Sequence, residues 1–190
     1  MPHGGPEARD EWGFDWMAQF YAQRGFAVLQ PNFRGSAGYG EDWMHENGFK
    51  SWKIAIGDVS DAGRWLVSQG IADPSKLAVV GWSYGGYAAL QAAATSPDVF
   101  KAVVAIAPVT DFDRLRNDAR YFTNFQIVSD FIGHGEYLDE GSPTKQAKKI
   151  VAPVMLVHGT LDAQVNEQHS ELMQGALKEA GRPPVFLKFD

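Results

Sequence analysis

The stretch KLAVVGWSYGGYAALQAAA (76–94) constrains the fold more tightly than any other part of the sequence. A β-branched run before Gly81 predicts a strand, and the alanine-rich segment Tyr84–Thr95 predicts a helix. Ser83 lies between them in a Gly-x-Ser-x-Gly pattern. That pattern is weak alone, but strand, turn and helix in this order form the sharp turn that presents a nucleophilic serine. The alternative is a glycine-rich turn that contains an incidental serine.

The rest of the chain alternates short apolar runs with amphipathic segments, which predicts one α/β domain over residues 1–190. We expect a mostly parallel sheet with helices on both faces. The predicted strands are Phe26–Gln30, Leu77–Gly81, Ala102–Ala107, Val154–His158 and Val185–Phe189. The predicted helices are Glu11–Arg24, Gly57–Gln69, Tyr84–Thr95 and Asn166–Ala180, with short helices expected within the irregular region 111–150.

Composition excludes several classes of protein. The formal net charge is −6 and there is no Lys/Arg run, which argues against a nucleic-acid partner. The chain has no cysteine, so it has neither disulfides nor thiolate metal sites. We expect no cofactor, no metal and no membrane partner, because no His/Asp cluster and no apolar run of about 18 residues is present. A cytoplasmic location is expected, although export stays open because the true N-terminus is not seen.

A second glycine-rich stretch, PHGGP (2–6), is a candidate partner for the serine turn. Two glycines let the backbone approach a substrate carbonyl closely, as in the HGGG-type loops of esterases. We expect the backbone N–H groups of Tyr84 and Gly5 to form an oxyanion hole. The positive end of the helix that begins at Tyr84 would add to the stabilisation of negative charge there.

Five ordered motifs then carry a resemblance to a known family. After PHGGP come NFRGSAGYG (32–40), GWSYGGY (81–87), AIAPVTDF (105–112) and HGTLDAQV (158–165). Together they resemble the catalytic domain of the prolyl oligopeptidase family, above all its dipeptidyl-peptidase and acylaminoacyl-peptidase branches. The resemblance implies the α/β-hydrolase fold, cleavage of short peptides and an N-terminal β-propeller in the full-length protein.

The resemblance also assigns roles to residues. It implies Ser83 as the nucleophile and Asp162 as the acid that orients a catalytic histidine. It implies that Tyr84, Phe112 and Leu115 line an apolar substrate pocket. Asp162 read alone would be a loop carboxylate that caps the following helix, and Phe112 would be a core residue.

Two motif residues are assigned less directly. His3 stands where some branches carry a tyrosine that donates to the oxyanion, which favours backbone donors here. Arg34, within NFRGSAGYG, is expected to be structural.

The histidine of a triad is the missing part. The chain contains His3, His45, His134, His158 and His169, and the order Ser–Asp–His leaves only His169 after Asp162. We expect His169 to be a surface helix residue rather than a substitute base, and His158 to be structural. The base is expected shortly beyond Asp190.

PHGGP normally follows a central strand, and only Met1 precedes it here. The chain is therefore expected to be a domain incomplete at both ends and inactive alone. A carboxylesterase-like hydrolase and a non-catalytic truncated module remain the alternatives.

Overall fold

The architecture is a parallel sheet covered by helices. The computed structural model describes residues 1–45, 49–121, 123 and 125–190, with the side chains of His45 and Tyr121 left out. Within these residues four strands pair in the order β1-β2-β3-β4, and every neighbouring pair is parallel. The strands are β1 (Ala78–Trp82), β2 (Ala102–Ile106), β3 (Val154–Gly159) and β4 (Val185–Phe189).

Nine α-helices connect or flank the strands in the described part of the chain. They are α1 (Trp16–Ala22), α2 (Glu41–His45), α3 (Trp52–Ser68), α4 (Tyr84–Thr95), α5 (Phe112–Asp118), α6 (Phe125–Ile132), α7 (Tyr137–Gly141), α8 (Pro143–Gln146) and α9 (Gln168–Glu179). Short 3-10 turns cover Phe49–Ser51, Ala119–Tyr121 and Ala147–Lys149. No helix among the described residues is long and apolar enough to cross a membrane.

Helix α4 forms the centre of the core. Every residue from Tyr84 to Ala94 is buried, because the helix packs on β1 and β2 on one side and on α3 and α8 on the other. Its alanines and glycines have the small side chains that such close packing on all sides requires. The predicted helix Tyr84–Thr95 is confirmed residue for residue.

The other predicted elements differ mainly at their ends. Helix α1 begins only at Trp16, because Asp15 caps it by accepting a hydrogen bond from the Ala18 amide at 2.7 Å. Helix α3 begins earlier than predicted, at Trp52. Four of the predicted strands are found within a residue or two of their predicted ends.

The predicted strand Phe26–Gln30 is wrong: these residues form no strand. A cavity of about 450 Å³ separates residues 26–29 from β1, and its lining includes Met1, Val59 and Val79. In the described part of the chain β1 pairs only with β2. Because a strand exists only through hydrogen bonds to a neighbouring strand, an apolar, β-branched run without such a neighbour stays irregular.

Candidate active site

Ser83 lies at the apex of a strained turn between β1 and α4. Its backbone has φ 57° and ψ −119°, a region that non-glycine residues rarely adopt. The Ser83 amide donates to the carbonyl oxygen of Ile106 at 2.8 Å, which ties the turn to the end of β2. The Ser83 side chain is half-buried. The turn therefore holds the hydroxyl at the carboxyl edge of the sheet.

The glycines of GWSYGGY are required by close approach of backbone to backbone. A Cβ atom on Gly81 would collide with the backbone of Gly85 across the turn. A Cβ atom on Gly86 would lie 3.0 Å from Pro108 and 3.1 Å from the carbonyl oxygen of Ile106. The pattern therefore reflects the space available at a strand-to-helix elbow.

The PHGGP loop lies directly against this elbow. A Cβ atom on Gly4 would come within 3.3 Å of the Trp82 carbonyl oxygen and 3.7 Å of the Ser83 Cβ atom. A Cβ atom on Gly85 would collide with the carbonyl oxygen of Pro2. The two glycine-rich motifs, about 80 residues apart in sequence, thus meet around the serine.

Asp162 lies in the loop that follows β3, at the same edge of the sheet. Its Oδ1 atom accepts hydrogen bonds from the amides of Gln164 at 2.8 Å and Val165 at 2.9 Å. These two bonds fix the orientation of the carboxylate. The Oδ2 atom makes no hydrogen bond to the described residues, and Asp162 is part of the lining of the cleft described below.

His158 packs against the Asp162 loop, and its side chain is fully buried. Its Nε2–H donates to the carbonyl oxygen of Val165 at 2.9 Å, and its Nδ1 atom accepts from the Ser170 hydroxyl at 2.7 Å. The Nε2 atom also lies 3.9 Å from Asp162 Oδ2. The sequence predicts a structural His158, and this position gives it the specific task of joining β3, the loop and α9.

A cleft of about 370 Å³ opens where the strands end. Its lining includes Trp82, Ala107, Asp162 and Asp190, which follow or end β1, β2, β3 and β4. Asp190 is held beside the Asp162 loop, because its Oδ1 atom accepts a hydrogen bond from the Thr160 hydroxyl at 3.3 Å. Carboxyl ends of parallel strands are where open α/β sheets build their sites.

The prediction that His169 is a surface helix residue is wrong. Its side chain is fully buried, and its Nδ1 atom accepts a hydrogen bond from the Thr110 amide at 3.2 Å. Burial lowers the pKa of His169 to about 4, although the carboxylate of Asp118, 3.8 Å from Nε2, opposes this shift. The ring therefore belongs to the packing between α9 and the loop before α5.

The other histidines with described side chains are also held elsewhere. His3 contacts the Gly4 carbonyl oxygen and Ser36, and His134 contacts Arg116. Within the described residues, no histidine makes a hydrogen bond to Ser83 or Asp162, and no group of three or more His, Asp or Glu side chains forms a metal site.

The three residues assigned to the substrate pocket lie in or beside an aromatic cluster beneath the elbow. The rings of Tyr84 and Phe112 are buried and both contact Phe49 and Tyr87, with ring-centroid distances between 4.6 and 5.8 Å. Leu115 is half-buried against this core. Burial raises the pKa of the Tyr84 hydroxyl, which finds no hydrogen-bond partner among the described residues.

The parallel sheet, the serine elbow after β1 and the carboxylate loop after β3 together define an α/β hydrolase. Comparison with known proteins narrows this class. A model of the prolyl oligopeptidase family matches residues 12–190, and the chain belongs to that family.

Individual relatives agree with this assignment. Dipeptidyl aminopeptidase BIII of Pseudoxanthomonas mexicana is 33% identical over 198 residues, which cover 100% of this chain and 29% of that protein. Dipeptidyl peptidase family member 6 of Caenorhabditis elegans is 33% identical over 199 residues, covering 100% and 27%. The solved structure of Pyrococcus horikoshii acylaminoacyl peptidase superposes with a TM-score of 0.89 at 26% identity, covering 100% of this chain and 31% of the other. The chain thus spans less than a third of these relatives.

Proposed function

We propose that this chain carries the nucleophile and the acid of a serine peptidase. The observation that supports the proposal most strongly is the meeting of three elements at one edge of the sheet. Ser83 has the strained backbone angle φ 57°, and the PHGGP loop lies against it. The Asp162 loop follows β3, which is two strands away from β1 in the sheet. Acyl transfer through a serine requires these parts.

The chemistry follows from these positions. The Ser83 hydroxyl loses its proton to a histidine and attacks the carbonyl carbon of a peptide bond. The carbonyl oxygen becomes an oxyanion, which the N–H groups of Tyr84 and Gly5 stabilise. The protonated histidine then gives its proton to the leaving amine, and water hydrolyses the acyl-enzyme on Ser83. Asp162 stabilises the imidazolium through its Oδ2 atom, while Oδ1 remains held by the loop amides.

The histidine is proposed to come from polypeptide that continues β4. This proposal is supported by the position of Asp190, which lies beside Thr160 in the lining of the 370 Å³ cleft that also includes Asp162. The histidines whose side chains are described are bound to other groups, and the ring nitrogens of His158 and His169 are enclosed. Residues 1–190 alone are therefore proposed to have little peptidase activity.

A related proposal concerns the 450 Å³ cavity between residues 26–29 and β1. We propose that an additional strand occupies it in the intact protein and makes hydrogen bonds to both sides. The apolar lining, which includes Val59, Leu66 and Val79, suits a β-branched strand.

The substrates are proposed to be short peptides with an apolar residue before the cut bond. Leu115, half-buried against the buried rings of Tyr84 and Phe112, is the member of this apolar cluster that a substrate would reach, and two relatives bear the names of a dipeptidyl aminopeptidase and an acylaminoacyl peptidase. A β-propeller elsewhere in the full-length protein would limit access to short chains.

Hydrolysis assays on the intact protein separate this function from the alternatives. We expect turnover of aminoacyl-p-nitroanilides, lost in Ser83→Ala and retained in Ser75→Ala, a substitution in an exposed turn. A carboxylesterase-like hydrolase would cleave p-nitrophenyl esters and leave the anilides intact. A non-catalytic module would cleave neither, and this result would end the proposal.

A further inference from the structure

The segment NFRGS (32–36) makes contact with both loops that are proposed to form the oxyanion hole. The buried Phe33 ring lies between two other rings. It stacks on His3 of the PHGGP loop with centroids 4.4 Å apart and an interplanar angle of 20°. On its other side it stacks on Tyr84 at 5.8 Å and 26°.

A hydrogen bond adds a second link from this segment to the PHGGP loop. The Oγ atom of Ser36, which is completely buried, lies 2.7 Å from His3 Nε2 and 2.6 Å from the Phe33 carbonyl oxygen. His3 Nδ1 lies 2.6 Å from the Gly4 carbonyl oxygen. Among the residues of PHGGP, only His3 has a side chain able to make hydrogen bonds, so every side-chain hydrogen bond of the loop passes through this ring.

The segment itself is anchored to a long helix. The Arg34 amide and Nε–H donate to Asp58 Oδ2, both at 2.9 Å, and Nη2 donates to Asp58 Oδ1 at 2.7 Å. Asp58 belongs to α3, which packs against α4. A bidentate guanidinium–carboxylate pair reinforced by a backbone amide gives a well-defined geometry.

We propose that NFRGS is the positioning element of the oxyanion hole, with His3, Phe33 and Ser36 as positioning residues. The inference rests on the proposed function, in which the Gly5 and Tyr84 amides stabilise the oxyanion. Such donors act only when they lie about 2.7–3.1 Å from the oxygen. Gly5 adopts φ 123° between a glycine and a proline and has no side chain to hold it, so its position depends on His3. Phe33 sets the separation of His3 from Tyr84, and Ser36 sets the rotation of the His3 ring.

The test uses the intact protein and substitutions that retain most of the packing. Ser36→Ala removes the hydroxyl, His3→Phe keeps a ring on Phe33 but removes its nitrogens, and the double variant combines the two. Ser68→Ala is the matched control, because that exposed hydroxyl also donates to a nearby carbonyl oxygen. The readouts are kcat, KM and the inhibition constant of an aminoacyl trifluoromethyl ketone, whose adduct with Ser83 places an oxyanion in the hole.

We expect each single variant to lower kcat roughly five- to tenfold, the effect of losing the Ser36–His3 bond that fixes the His3 ring. KM should stay within about twofold, and the ketone should bind weaker by the same factor as the fall in kcat/KM. The double variant should lose less than the two single losses combined, because both substitutions remove the Ser36–His3 bond, although each also removes one further contact, to the Phe33 or the Gly4 carbonyl oxygen. Ser68→Ala should match the unmodified protein.

Additive losses in the double variant, a change confined to KM, or unchanged ketone affinity would overturn the positioning role. Phe33→Leu provides a second measurement if His3→Phe fails to fold. A Ser83→Ala protein that keeps the wild-type rate would instead overturn the proposed function, and the inference with it.

Discussion

The buried imidazole of His169 makes the stability of the protein depend on pH in a window that the structure defines. Its pKa is lowered from 6.5 to about 4 because burial disfavours the charged ring. In the unfolded chain the ring gains a proton as the pH falls below about 6.5, whereas in the folded protein it stays neutral down to about pH 4. The unfolded state thus binds more protons in this window, and stability decreases as the pH falls.

The magnitude follows from the gap between the two pKa values, which corresponds to about 3 kcal/mol when fully developed. Between pH 7 and pH 5 the expected loss in the free energy of unfolding is about 2 kcal/mol. His169→Asn should remove this loss, because asparagine offers Oδ1 in place of Nδ1 to the Thr110 amide but does not titrate. His169→Gln should also remove the loss while weakening the protein at pH 7, since its amide oxygen is placed one bond further away.

Urea unfolding of the intact protein at pH 7 and pH 5, followed by tryptophan fluorescence, measures both quantities. Met173→Leu is the control for packing, because Met173 lies one turn along on the same buried face of α9. It should keep the wild-type dependence on pH. If His169→Asn lost as much stability between pH 7 and pH 5 as the unmodified protein, the argument from burial would be refuted.

Three further predictions concern the site. Gly85→Ala should lower kcat at least about 100-fold by pushing the Pro2 carbonyl and the PHGGP loop away, whereas Gly175→Ala, with open space around it in α9, should leave the rate unchanged. Asp162→Asn should lower kcat by about 10³–10⁴. Adding His158→Phe should lower kcat little further, since His158 acts by holding the Asp162 loop. If the kcat losses of the two single variants multiplied in the double variant, this account of His158 would be contradicted. Residues 1–190 expressed alone should hydrolyse anilides far more slowly than the intact protein, and a comparable rate dependent on Ser83 would show that the base lies within the chain.

The serine elbow could be predicted from sequence because its constraints are local. Gly81, Ser83 and Gly85 occur at fixed spacing between a β-branched run and an alanine-rich run, and each of these signals extends over only a few residues. The meeting of PHGGP with the elbow depended on recognising a family pattern, since no local signal joins segments so far apart in sequence.

The wrong predictions concern properties that depend on neighbours distant in sequence. Phe26–Gln30 has the composition of a strand, but a strand forms only beside a partner, and β1 is separated from it by the cavity. His169 is predicted to be a surface helix residue, but its ring is buried. Its spacing to Met173 and Leu177, which are also buried, does follow the i, i+4, i+8 pattern of a core-facing stripe. That spacing was the missed signal.

The tasks of His158 and NFRGS were missed for a different reason. Both act through contacts with residues outside their own motif, Ser170 for His158 and His3 and Tyr84 for NFRGS, and no sequence spacing predicts these partners.

Covalent labelling of the nucleophile tests the central claim most directly. The intact protein, treated with a fluorophosphonate and digested, should yield one modified peptide with the label on Ser83. The label should be absent in Ser83→Ala and strongly reduced in Asp162→Asn. A native protein that hydrolyses peptides yet carries the label on another serine, or carries none, would contradict the assignment of Ser83 as the nucleophile.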